Sequence, residues 1–252
     1  MASEKRVRRP SRTALTDETH QAVTALIVNH QIAPGEHINI DALARSLDVS
    51  QTPVREALAR LESENLVVKQ PLRGYIATPL LTPAQVDDMF RFRALIEPWG
   101  AARAATMHTE EDAAAIRAEL EVAAQVRADD FDEAYELLGY HDKRFHDLVA
   151  KASGSTYLQD TLARMHCHMH MFRLYQARKK FSLEQQNAPE FIETVFKDFY
   201  NPETGFLTVQ GHGTIAEAIL ARDPGKARSA MFEHIEGSRV RNSPGVQLMG
   251  SV

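Results

Sequence analysis

The stretch Pro79-Leu80-Leu81-Thr82-Pro83 separates two lengths of chain with different character, and no other feature constrains the fold as much. Proline lacks the N–H that continues a helix and disfavours helical geometry in the residue before it. Upstream, short elements are punctuated by turn signals. Downstream, from 84 to about 180, apolar residues recur at helical spacing through alanine-rich stretches such as EPWGAARAAT and EEDAAAIRAELEVAAQVRA. The pattern predicts a small domain over 16–79, a linker over 80–83 and a larger domain over 84–240. A basic flexible tail at 1–15 and a second tail at 241–252 flank them.

The smaller domain reads as three helices and a hairpin. Val23, Leu26, Ile27 and His30 recur at helical spacing, with Thr16 or Asp17 as caps. Pro34-Gly35 signals a turn, and DALARSLDV is a short amphipathic helix turning Leu43, Ala44 and Leu47 inward. SQTPVREALARLESENLV follows as a further helix, capped by Ser50 or Thr52, with Pro53 in the first turn where its missing N–H is not needed. VVKQ and GYIATP are two short strands around PLRG. This is a winged helix-turn-helix plan. The larger domain predicts an all-α antiparallel helical bundle, so the fold class is mainly α. Its segment 181–210 is less regular, aromatic-rich and broken by Pro189, Pro202 and Gly205.

A hydrophobic content of 44% and charged content of 25% fit a soluble globular protein. No apolar run reaches the roughly 18 residues of a membrane span. The single Cys167 excludes an intrachain disulfide and fits a reducing compartment. The expectation is a cytoplasmic protein without a membrane partner. A net charge of −5 argues against nucleic acid, but its distribution does not. Residues 1–80 hold ten Lys/Arg against nine Asp/Glu, and five of those basic residues fall within the first fifteen positions. A basic arm ahead of a near-neutral domain suits phosphate attraction; a solvated tail would look the same.

HDKRFHDLV places Asp142 and His146 one helical turn apart, as half of a metal site or as an ion pair on a solvated face. The doublet His141-Asp142 also spells that of helical phosphohydrolases, although adjacent helical residues point about 100° apart. RMHCHMHMFR puts His166 and His170 on one helical face, with Cys167 and His168 elsewhere around it. That group suits a second metal site, a cavity lining or a dimer surface. Arg93 and Glu97 lie one turn apart and could form a simple surface pair.

APGEHINIDALARSLDVSQTPVREALARLESENLVVKQPLRGYIAT resembles the DNA-binding half of GntR-type transcription regulators, and SQTPVREALARLE matches their recognition-helix signature. FRFRALIEPWGAARAA, DKRFHDLVAKASGS and GHGTIAEAILARDPGKARSAMFEH resemble the FCD effector domain of the FadR-like branch. The resemblance covers residues 16–238 or so. It implies that Ser50, Gln51, Thr52 and Arg55 front the helix entering the major groove. Arg45 on the preceding helix is then a phosphate clamp, and Arg73-Gly74 the wing tip near the minor groove or backbone. Gln51 stands where an arginine is common, which shifts the expected base from guanine towards adenine. Asn65 replaces a glycine before the wing, Ser155 replaces a frequent asparagine, and the segment 181–210 is longer than usual.

The same resemblance implies metal ligands at Asp142, His146, His212 and His234. Three imidazoles and a carboxylate suit a divalent metal, zinc first, with nickel, manganese or iron as alternatives. Arg93 matches the family's R-x-x-x-E pattern as an effector-binding residue, and Arg173 is a second candidate. The implied protein is a ligand-responsive repressor binding a palindromic DNA operator as a homodimer, sensing a small carboxylate effector beside a bound metal. The alternative is a metal-dependent hydrolase or oxygenase with an accessory DNA-binding domain.

Overall fold

Three helices and a small sheet form the first of two units, Met1–Pro79, in a computed structural model that describes residues 12–126, 131–184, 200–201 and 205–247. Helix α1 (Arg12–Val28) packs on α3 (Gln51–Ser63), with α2 (Ile40–Ser46) between them in sequence. Asn39 caps α2 by accepting from the Ala42 N–H at 2.9 Å, which satisfies one of the helix's orphan donors. Ser50 takes the N-cap position of α3 without a side-chain bond there. Val23, Ile27, Val54, Leu58, Leu61 and Leu66 are fully buried as the core. The helix is left at Asn65, which adopts φ 57°, a left-handed geometry asparagine tolerates.

Strands β2 (Val67–Gln70) and β3 (Gly74–Ala77) form the expected hairpin. A third strand, β1 (His37–Ile38), pairs antiparallel with Tyr75–Ile76 and gives the order β1-β3-β2. Two residues are too few for a periodicity signal, so the sequence predicts only a two-stranded wing. Gly74 sits at the hairpin bend with φ +81°, a conformation glycine adopts without a Cβ clash. The basic arm at 1–11 lies outside the described residues, and the chain is already helical at Arg12.

Among its described residues the second unit, Leu80–Val252, is helical almost throughout. Its helices are α4 (Pro83–Met107), α5 (Glu110–Ala123), α6 (Phe131–Ala152), α7 (Thr156–Met165), α8 (Cys167–Glu184), α9 (Leu207–Leu220) and α10 (Pro224–Gln247). Thr82 opens α4 with a reciprocal capping box to Gln85, and Pro83 takes the first turn; Thr109 and Asp112 repeat the box on α5. Leu80 and Leu81 are partly buried against this unit's core, so the expected linker packs as its leading edge. Phe90, Ile116, Phe145, Ile215, Met231 and Ile235 form that core, with α4 against α10 the most extensive pairing. Helix α10 continues to Gln247, past the boundary at 240, where Asn242 Nδ2 donates to the Ser238 carbonyl at 2.8 Å. Positions 248–252 of the expected tail lie outside the described residues, as does most of 181–210. Within that segment Tyr200–Asn201 (β4) pairs with Gly205–Phe206 (β5).

Candidate metal centre and nucleic-acid interface

On α3 the buried stripe of Pro53, Val54, Ala57, Leu58 and Leu61 leaves Gln51, Thr52 and Arg55 outward. Neighbouring polar residues are tied down: Arg60 Nη1 pairs with Asp17 at 2.6 Å, and Glu56 accepts from Thr16 at 2.8 Å. Arg55 Nη2 instead donates to Gln51 Oε1 at 3.2 Å. An exposed guanidinium tethered to one neutral amide keeps most of its donors available. Ser50 and Arg45 are also exposed, the latter on α2. Arg73 is exposed at the wing tip beside Gly74, its carbonyl accepting from His37 Nε2.

In the second unit three helices bring Asp142 and His146 of α6, His212 of α9 and His234 of α10 together, with one donor atom of each within 4.8 Å of the others. Asp142 Oδ1 stands 3.6 Å from His146 Nε2, 3.5 Å from His212 Nε2 and 4.0 Å from His234 Nε2. Zinc–ligand bonds of about 2.0–2.2 Å put tetrahedral neighbours roughly 3.4 Å apart, so the cluster is slightly wide and close to that spacing. His146 Nε2 and His212 Nε2 are buried without a hydrogen-bond partner. Each such nitrogen costs about 1–3 kcal/mol unless something satisfies it. A divalent cation is the group that this donor set fits.

Electrostatics shape the cluster. Burial would raise the Asp142 carboxyl, but the neighbouring imidazoles and Arg93 hold it well below the ordinary carboxylate range. Burial pushes His212 down to about 3 and His234 well below its ordinary value. His146 is the exception: burial opposes its charge, but Glu97 and Asp142 outweigh it and raise the ring to about 9. Its Nδ1 lies against the Glu97 carboxylate, which Arg93 Nε also contacts at 2.5 Å. Arg93 and Glu97 are therefore a buried pair, 6% and 2% exposed, rather than a surface one.

Gly211 lets α9 approach α10 here, because a Cβ at that position would sit 2.5 Å from His234 Nδ1. A cavity of about 90 Å³ adjoins the cluster and shares Asp142 with it, bordered also by Arg93, Tyr135, His168, Thr208 and Asn242. Arg173 is buried on α8 and is not among the residues lining that cavity; burial lowers it to about 10.

Two sequence expectations change. His166 has φ 45° and ends α7, so the left-handed break removes the single helical face expected for His166 and His170. His141 and Asp142 diverge: Asp142 joins the cluster, while His141 Nδ1 meets Glu119 Oε1 at 2.8 Å. Glu119, Glu97's contact with His146 and Gly211 had no place in the sequence reading. Glu119 left one signal, a charged residue in register with Ala113, Ile116 and Ala123 on the buried stripe of α5.

Among the described residues no helix is long and apolar enough to cross a membrane. The family model described as FCD domain matches residues 88–237, and that of the bacterial regulatory proteins, gntR family, matches 15–76. The HTH-type transcriptional regulator YdhC of Bacillus subtilis is 28% identical over 149 residues, 59% of this chain and 65% of its own length. The chain thus spans just under two thirds of that relative. The HTH-type transcriptional repressor RspR of Escherichia coli is 25% identical over 211 residues, covering 83% of this chain and 81% of RspR. A crystal structure of a GntR regulator from Rhodococcus sp. RHA1 shares the fold, with a TM-score of 0.60 at 18% identity, over 95% of this chain and 99% of that one. These relatives are transcription regulators rather than enzymes.

Proposed function

This chain belongs to the gntR family of bacterial regulatory proteins and carries an FCD domain, and from that premise we propose that it is a metal-dependent, carboxylate-responsive repressor. It binds a palindromic operator as a homodimer, the two-fold symmetry of the protein setting that of the DNA. Ser50, Gln51, Thr52 and Arg55 read or clamp the major groove, Arg45 holds a phosphate, and Arg73-Gly74 approaches the neighbouring groove or backbone. The repressor sign is supported by the name of the relative RspR.

The observation that carries the effector reading is the shared wall. Asp142 belongs both to the histidine cluster and to the cavity, and Arg93 lines the same cavity. Asp142, His146, His212 and His234 would hold the ion, with zinc the first choice and nickel, manganese or iron compatible with the donors. The ion supplies a positive centre towards which a carboxylate binds. Arg93 adds charge-assisted hydrogen bonds to that carboxylate, and Phe90, stacked 5.7 Å from the guanidinium, supports it. Arg173 is a second, more remote charge. An effector alters DNA affinity only to the extent that it prefers one arrangement of the DNA-binding units.

The test is a thermal-shift and DNA-binding screen of short carboxylates against the zinc-loaded and chelator-treated full chain. A ligand at a hundred times its Kd stabilises by about 2.7 kcal/mol, which a melting curve resolves. The expected result is a carboxylate that raises Tm and weakens binding to DNA selected by the wild-type protein, only when zinc is present. Equal responses with and without zinc would remove the metal from the effector site.

A further inference from the structure

Arg144, Glu119 and His141 form a hydrogen-bonded line that ends on one of the candidate ligands. Arg144 Nε donates to Glu119 Oε2 at 2.8 Å, and His141 Nδ1 lies 2.8 Å from Glu119 Oε1. His141 Nε2 then meets His212 Nδ1 at 2.7 Å. His141 and His212 are 1% and 0% exposed. The line joins α5, α6 and α9, and its last atom, His212 Nε2, faces Asp142 Oδ1 at 3.5 Å.

Proton bookkeeping gives this line a direction. A carboxylate accepts and cannot donate, so the proton of the first bond sits on His141 Nδ1. A neutral His141 then offers only a lone pair at Nε2, and His212 Nδ1 must be the donor of the second bond. His212 Nε2 is left with its lone pair aimed at the cluster, the state a metal ligand requires. Phe145 stacks on the same ring at 4.0 Å and 14°, which fixes the ring plane. Stacking cannot distinguish a ring from its flipped form; the bond from His212 Nδ1 to His141 can.

We propose that Glu119 and His141 are positioning residues, a relay that locks His212 in the tautomer and orientation for binding a divalent cation. The role rests on the metal reading above, but its signature is separable from it. Outer partners of metal-bound histidines typically contribute 10–100-fold in affinity.

The experiment measures Zn²⁺ affinity of the full chain by competition with a chromophoric chelator, for wild type, His141→Phe and Glu119→Gln. It is paired with ¹⁵N NMR of the histidine rings in metal-free protein. The expected result is an Nδ1–H tautomer for His212 in wild type, shifting towards Nε2–H in His141→Phe. Zinc affinity should fall by about 10–100-fold in that variant and by about tenfold in Glu119→Gln. Variants that melt lower but bind zinc within twofold of wild type, with the His212 tautomer unchanged, would overturn the relay. If His141→Phe does not fold, Glu119→Gln carries both readouts. If wild type binds no zinc, the metal reading fails, and the tautomer shift still decides whether the relay sets the ring.

Discussion

On α3, Gln51, Thr52 and Arg55 stand in solvent within one turn and a fraction, tied to little but each other. At the cluster, Asp142, His146, His212 and His234 come from three helices; the buried Glu97 carboxylate holds the His146 ring, and His141, itself held by Glu119, holds that of His212. The first region keeps charge free for a partner that arrives from outside. The second spends burial and hydrogen bonds to hold a few nitrogens at one interior point. On the proposed reading exposure serves the one and desolvation the other, so mutations should separate them cleanly.

The largest separation is expected from Arg55→Ala. Loss of a groove contact should weaken specific DNA binding by about 1–3 kcal/mol, roughly 5–150-fold. Melting temperature and zinc content should stay at wild-type values. Anisotropy titrations on DNA selected by the wild-type protein, beside a melting curve, check both halves. Unchanged DNA affinity would remove Arg55 from the groove.

Gly211→Ala makes the converse cut. The new Cβ would press on His234 Nδ1, whereas at Gly213, on the same helix, nothing lies within 4 Å. Zinc affinity should fall about tenfold in Gly211→Ala. Gly213→Ala should leave zinc binding alone and stabilise the helix by about 0.5–1 kcal/mol. Equal zinc affinities in the two variants would show that the close approach of α9 to His234 is immaterial.

A smaller effect sharpens the same contrast through pH. Burial pushes His168 and His170 down to about 4 from an ordinary 6.5. Between pH 6.5 and 4 the unfolded chain therefore takes up protons that the folded chain refuses. The contribution of these two rings to stability should be level above 6.5 and fall as pH drops through that window. Thermal melts of a His168→Gln/His170→Gln double variant should fall less steeply with acid than wild type. Parallel slopes would mean that neither ring contributes.

The two regions also differ in how much could be read from the sequence. Helix α3 is local: its apolar stripe, its proline and its exposed residues lie in one contiguous run, and the structure keeps that pattern. Asp142 and His146 are legible for the same reason, being one turn apart. His212 and His234 entered only through the family register, because no local spacing links residues on separate helices. Glu119 and Glu97 needed the packing itself, since a carboxylate on a buried stripe states that it has a partner and not which one. His166 was misread because helical spacing assumes an unbroken helix. The strand at His37–Ile38 was missed because two residues carry no period.

The central claim, that the buried cluster holds a metal, is tested most directly by metal content per chain after gentle purification and zinc reconstitution, wild type beside His146→Ala. About one zinc per wild-type chain, with the variant holding none, is the predicted result. Neither protein retaining zinc, or the variant retaining as much as wild type, would contradict it.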